Sequence, residues 1–188
     1  MQTDLIQHAQ AVAGHVLAQG RYATFLTAAG TGYSAWGPLA LTGWTADPTE
    51  GGCGHLLYLR DLDDGAFWSL GQQPILQTAE RYEIHCRTGW VELLRQDGTL
   101  ETRLEVCIAP DADLELRRIT LRNLGDRPRR IELTSYAEVV LNGWAAHAAH
   151  PTFSKLFIQT EWVAAQRALL ARRRPRSPDE SPCWLVHA

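Results

Sequence analysis

Over residues 81–87 and again over 100–108 the chain alternates polar and apolar side chains almost one for one. Tyr82, Ile84 and Cys86 share one parity, and Arg81, Glu83, His85 and Arg87 share the other. Further on, Leu100, Leu104, Val106 and Ile108 alternate with Glu101, Arg103 and Glu105. A period of two sends successive side chains to opposite faces of a strand, so one face packs on a core and the other meets water. Asp97-Gly98 sits between these runs, and Asp63-Asp64-Gly65 lies between apolar runs at 56–62 and 66–70. Both read as hairpin turns, because Asp-Gly tolerates positive φ. Further strands are predicted at 22–28, 39–44 and 114–121, in one long run over 131–139, and around Leu156–Trp162. The alternation slips at Arg117-Arg118, which predicts a β-bulge. Residues 28–37 and 47–54 read as loops, the first a tight one in which the backbone passes close to another segment. Residues 164–171 suit a helix or a strand equally.

Only the start of the chain has helical spacing. Leu5, Ile6, Ala9, Val12, Ala13, Val16 and Leu17 recur at a helical period, and Gly20 follows as a helix end. The division is therefore a helical leader over 1–20 and a β domain over 21–188. Many short strands separated by turn residues predict an all-β antiparallel sandwich, and the helices that a parallel α/β fold needs between strands are missing. Cys183–His187 reads as a strand beginning at the end of the chain, which makes the sequence the front part of a longer domain with open strand edges and a tendency to self-associate.

Composition narrows the chemistry. With 18 basic and 21 acidic side chains in 188 residues, there is no concentrated basic face for nucleic acid. The cluster Arg172, Arg173, Arg174 and Arg176 reads as a solvated surface. No apolar run reaches the ~20 residues that span a bilayer, and the first residues lack the pattern of a secretory signal. Cys53, Cys86, Cys107 and Cys183 form no CxxC pair and read as reduced, partly buried thiols of a cytoplasmic protein. His147 and His150 could face one metal, but further ligands are lacking, so no metal and no cofactor is expected. No GxSxG is present, and Gly30-Thr31-Gly32 lacks the rest of a nucleotide loop. Asp61, Asp63 and Asp64 read as turn formers rather than as a carboxylate pair for glycoside chemistry. The seven tryptophans are the unusual component. Five are expected in the core, with Trp36 and Trp44 left for a surface role, since indole stacks on the C–H face of a sugar ring.

Several segments together resemble one family. They are Gly20-Arg21-Tyr22, Leu26 to Ser34 (LTAAGTGYS), Tyr58-Leu59-Arg60-Asp61 with Gly65 and Trp68, Glu132 to Glu138 (ELTSYAE), His150-Pro151, Phe153 to Phe157 (FSKLF) and Arg174 to Ser177 (RPRS). In this order they resemble the amino-terminal domain of the family-94 glycoside phosphorylases, also called glycosyltransferase family 36, in the form found in cyclic β-1,2-glucan synthases. The resemblance implies an incomplete antiparallel super-sandwich similar to galactose mutarotase. It also implies a division of labour in which an aspartic acid on a separate helical barrel protonates the glycosidic oxygen. No residue here matches that acid, so the chain is expected to be a scaffold that transfers no glycosyl group by itself. The expected partners are a helical-barrel catalytic domain in cis or trans, a β-glucan oligosaccharide and further copies of the chain. A free-standing β-glucan-binding module is the alternative. The resemblance assigns a ligand-proximal role to Tyr33, Trp36, Arg60 and Asp61; with Trp44 these are the candidate carbohydrate-binding residues. Arg60 and Asp61 equally suit an ion pair across a hairpin.

Overall fold

The computed structural model describes residues 14–45, 54–175, 177, 180 and 182–188. Strands dominate and form four antiparallel sheets. The first sheet runs β1 (Gly14–Gln19), β2 (Tyr22–Thr27), β3 (Gly32–Trp36), β4 (Leu39–Thr42) and β12 (Val139–Gly143). The second is β11 (Ile131–Ala137), β5 (His55–Asp61) and β6 (Phe67–Ser69). The third orders β10 (Glu115–Asn123), β9 (Leu100–Ile108), β8 (Trp90–Asp97) and β7 (Arg81–Arg87). The fourth is β13 (Ile158–Val163), β14 (Ala168–Arg173) and β15 (Trp184–His187). Two short helices, α1 (Trp144–Ala149) and α2 (Pro151–Lys155), follow β12. The all-β sandwich expected from the alternation is therefore present.

The main core lies where the first three sheets face one another. Leu17 and Leu26, Leu57, Leu59 and Trp68, and Val91, Leu93, Leu104 and Val106 form one buried cluster. Each group occupies alternate positions of its strands, as a half-buried sheet requires. A second cluster joins Leu41 and Leu141 to Ala171 of the fourth sheet. Arg95, 1% exposed, closes one end of the core. Its guanidinium bonds Asp97 through two nitrogens and also donates to the carbonyls of Gly71 and Gln77, pinning the 71–77 loop to the third sheet. The tight turn before β3 packs against the same loop. A Cβ on Gly30, whose φ is +80°, would lie 2.7 Å from Gly71 Cα, which is the close backbone approach expected of that segment.

Five expectations about the fold change. Residues 14–19 form strand β1, hairpinned onto β2 through Gly20, where a helix was expected; the rest of that helix, residues 4–13, lies outside the described residues. Val16 and Leu17 are adjacent apolar residues that suit a helical stripe, but pairing with β2 sends them to opposite faces. Residues 32–36 are strand β3 rather than loop. The long run at 131–139 breaks at Glu138: β11 pairs β5, and β12 crosses to β4, with a register shift between Val139 and Asn142. The helical region expected to end at Gly20 is complemented by α1 and α2.

The bulge predicted at Arg117-Arg118 is absent, since β10 pairs β9 in unbroken register from Glu115 to Asn123. The alternation slips because β10 turns charged residues inward. Glu115 Oε1 accepts from Arg117 Nε at 2.5 Å, and Oε2 accepts from Ser34 at 2.7 Å and from the Tyr22 hydroxyl at 3.2 Å. Ser34 Oγ lies 3.3 Å from His55 Nε2. Burial opposes ionisation of Glu115, but Arg117, with His55 and the Ser34 hydroxyl, outweighs it and holds the carboxyl at about 2. Burial, reinforced by Arg117, pulls His55 down to about 3. The network spans β2 and β3, β5 and β10, and so ties together three sheets.

Glu115→Ala is expected to cost roughly 3–5 kcal/mol in urea unfolding, because it leaves the Arg117 charge buried without its carboxylate. The same network sets the pH dependence. Both groups bind protons more weakly in the folded state, so stability is complete above pH 6.5. It falls as the pH drops toward 3 through His55, and Glu115 adds to the loss below its ordinary value. Each group contributes at most about 1.4 kcal/mol per pH unit. Unfolding free energies measured from pH 7 to 4.5 should decline, and His55→Gln should flatten that stretch; an unchanged slope in the variant would contradict the assignment.

Candidate functional site

On the first sheet, Tyr22, Thr24, Ser34 and Trp36 face the core side, while Phe25 and Tyr33, paired directly across β2 and β3, face outward. Trp44, just past β4, and Trp144, the first residue of α1, close over that outer face. Tyr33 stands 4.7 Å from Trp144 in an edge-to-face contact and 5.8 Å from Trp44, and Phe25 lies 5.3 Å from Trp44 between ring centroids. Phe25, Tyr33 and Trp44 are half-buried, and Trp144 is exposed. Such contacts hold aromatic rings in fixed relative orientations.

Polar side chains gather near the backbone that leads into Trp44. Gly43, next to Trp44, lies close to the Glu138 and His147 side chains. Glu138 pairs with Lys155 of α2 at 2.6 Å and accepts a hydrogen bond from Tyr136. His147, on α1, is held below its ordinary value, chiefly by burial, and its Nδ1 has no hydrogen-bond partner among the described residues. An aromatic wall beside a carboxylate, an imidazole and an ammonium group supplies what a hydroxyl-rich ring needs: an apolar surface for its C–H face, with donors and acceptors for its rim.

The five expected binding residues divide among separate places. Tyr33 and Trp44 come together. Trp36 does not join them, because residues 33 and 36 lie three apart on one strand and project to opposite faces. Its indole N–H donates to Asp113 at 2.6 Å, and Arg21 sits 3.6 Å over its ring. Arg60 and Asp61 are likewise on opposite faces of β5, so they form no pair across the hairpin. Asp61 is buried and bonds Arg129 through Nε at 2.8 Å and Nη2 at 2.6 Å. The Asp63 backbone N–H, first, and Arg129 hold its carboxyl below the usual range. Arg60 is exposed on the other face.

Trp144, Glu138, His147 and Lys155 lie near this surface and were not foreseen as sugar-binding residues, His147 having been weighed only as a metal ligand. Glu138 and Lys155 both lie in the family-like segments, which was the one available signal. Of the seven tryptophans only Trp68 is fully buried, whereas Trp144, Trp162 and Trp184 are exposed. The expected five core tryptophans are not found, because the outer face of the first sheet and parts of the fourth are uncovered. Of the four thiols, Cys86 is exposed, Cys107 and Cys183 are half-buried, and Cys53 lies outside the described residues. No group of three or more metal-binding side chains occurs among the described residues, and no helix among them is long and apolar enough to cross a membrane.

Asp61→Asn is expected to lower the thermal midpoint while leaving the near-ultraviolet circular dichroism of the folded protein unchanged, since the Asp61–Arg129 pair lies apart from the aromatic cluster. An unshifted midpoint would contradict a structural role for that pair.

Residues 2–188 match the family described as glycosyl hydrolase 94, supersandwich domain. Among curated proteins, the chain is 36% identical over 172 residues to the cyclic beta-(1,2)-glucan synthase NdvB of Rhizobium meliloti (strain 1021), covering 92% of this chain and 6% of that protein. It is 28% identical over 102 residues to the solabiose phosphorylase of Paenibacillus borealis, covering 54% of this chain and 13% of that enzyme. It is also 26% identical over 87 residues to an N,N'-diacetylchitobiose phosphorylase of Vibrio proteolyticus, covering 45% and 11% respectively. The chain thus spans a small fraction of the length of these relatives.

Proposed function

Because this chain belongs to the glycosyl hydrolase 94 supersandwich family, we propose that it is a non-catalytic scaffold that holds a β-glucan beside a helical-barrel catalytic domain supplied in cis or in trans. The observation that carries the reading is the outward cluster of Tyr33, Trp44 and Trp144 with Glu138, His147 and Lys155 nearby. The likeness to a cyclic beta-(1,2)-glucan synthase over 92% of the chain supports a β-1,2-linked glucan as the sugar. Exposed Trp184 and Val186, which share one face of the fourth sheet, support docking of the barrel or of a second copy there, since exposed apolar patches mark interaction surfaces. A cytoplasmic location belongs to the same proposal and is supported by free thiols at Cys86, Cys107 and Cys183. Because the aromatic surface lies wholly within this chain, a free-standing β-glucan-binding module is the second reading.

Calorimetric titration with linear β-1,2-gluco-oligosaccharides should give saturable heat, and Tyr33→Ala or Trp44→Ala should weaken binding about tenfold, ~1.4 kcal/mol. No heat at millimolar sugar would remove glucan binding from the proposal. A helical barrel added as a separate polypeptide should co-elute with the chain if it is a scaffold, and separate elution would leave the free-standing module. Elution of the chain alone as a strict monomer at high concentration would remove self-association.

A further inference from the structure

The second sheet carries a depression of about 420 Å³ on its outward face, lined by Tyr58, Arg60, Gly65, Phe67, Glu132 and Thr134. Its volume is in the range of small-molecule sites. Glu132 and Arg60 are direct cross-strand partners, as are Thr134 and Tyr58. Oppositely charged residues so placed are within reach of each other. Elsewhere such neighbours close: Arg118 bonds its cross-strand partner Glu105 at 2.7 and 2.8 Å. Arg60 and Glu132 make no such pair and no side-chain hydrogen bond among the described residues, so their donors and acceptors remain open to the depression. Beside them Tyr58 and Phe67 stack nearly parallel, 16° between planes and 5.4 Å between centroids, with Phe67 half exposed. The hairpin carrying Gly65 and Phe67 is fixed in advance. Asp61 Oδ1 accepts from the Asp63 N–H, the Asp61 carbonyl accepts from Gly65, and Asp64 Oδ1 accepts from Ala66.

We propose that this face is a second saccharide subsite, separate from the Tyr33–Trp44–Trp144 surface, in which a short run of pyranose rings stacks on Tyr58 and Phe67 and hydrogen-bonds Arg60 and Glu132. The charges select the ligand class. A free anion meets Glu132 and a free cation meets Arg60, whereas a neutral polyol donates to the carboxylate and accepts from the guanidinium. The stacked rings supply the apolar surface that a sugar's C–H face requires. Burial keeps the Tyr58 hydroxyl above its ordinary value, so it stays protonated as a further donor.

The inference rests on the proposed glucan-binding reading for its choice of sugar, and the two separate in one experiment. Amide and indole NMR signals of the full chain are followed during titration with linear β-1,2-glucotriose. Signals of Gly65, Phe67 and Glu132 should shift along with the Trp44 and Trp144 indoles. Phe67→Ala and Glu132→Gln should each weaken the first set at least about fivefold and leave the indole set unchanged; unshifted indole signals also report that each variant is folded. Movement of the indoles alone overturns the second subsite and keeps the first. Movement of the second set alone supports the subsite and overturns the first surface. A spectrum unmoved at millimolar sugar overturns both.

Discussion

A carboxylate stripped of water must be surrounded by donors, and Glu115 draws them from two sheets, with a third sheet one contact further on. Ser34 and Tyr22 reach it from the first sheet and Arg117 from its own strand, while His55 of the second sheet touches Ser34. Apolar contacts among Leu17, Leu59, Leu93 and Val106 hold the layers together but allow sliding, because burial has no direction. Hydrogen bonds to a buried charge are directional and strong. The placing of β10 over β3 and β5 is therefore set by this network, and the faces that point outward follow from it.

Those outward faces differ in character. The third sheet presents interleaved charges, with Arg118 on Glu105 and Arg103 on Glu92, a solvated surface that resists stacking against another sheet. The first and second sheets present aromatic rings with polar groups nearby instead. The aromatic clusters lie on two of the four sheets, and both sheets contribute strands to the same core, so both surfaces rest on rigid backing.

The alternation in 81–87 and 100–108 was legible because Tyr82 and Ile84 of β7 pack against the core and Leu100, Leu104 and Val106 of β9 lie in it, while their neighbours face out. The same reasoning failed at β10, where the buried face carries Glu115 and Arg117: hydropathy treats charge as outward, and only the partners on β2, β3 and β5 show why it is not. It failed again at β1, whose short apolar pair fits a helix until β2 is alongside. At the candidate surface, Tyr33 and Trp44 were readable from their motif and from the rarity of indole. Trp36 was not separable from them until strand parity was known, and Trp144 belongs to a helix brought over the sheet by a long-range crossover. Arg60 and Asp61 are adjacent in sequence and on opposite faces in space, which neither motif nor composition encodes.

The passage at Glu138 has a further consequence. One stretch of chain runs from Glu132 and Thr134 in the second sheet, through a one-residue break at Glu138, to Trp144 over the first. Its backbone is fixed at the crossing, where Glu138 N–H donates to Gly54 and its carbonyl accepts from Gly43. A one-residue insertion or deletion in this stretch would shift the phase of one sheet against the other and present the wrong side chains to one of the two surfaces. The number of residues from Glu132 to Trp144 therefore sets how the two outward surfaces are phased against each other.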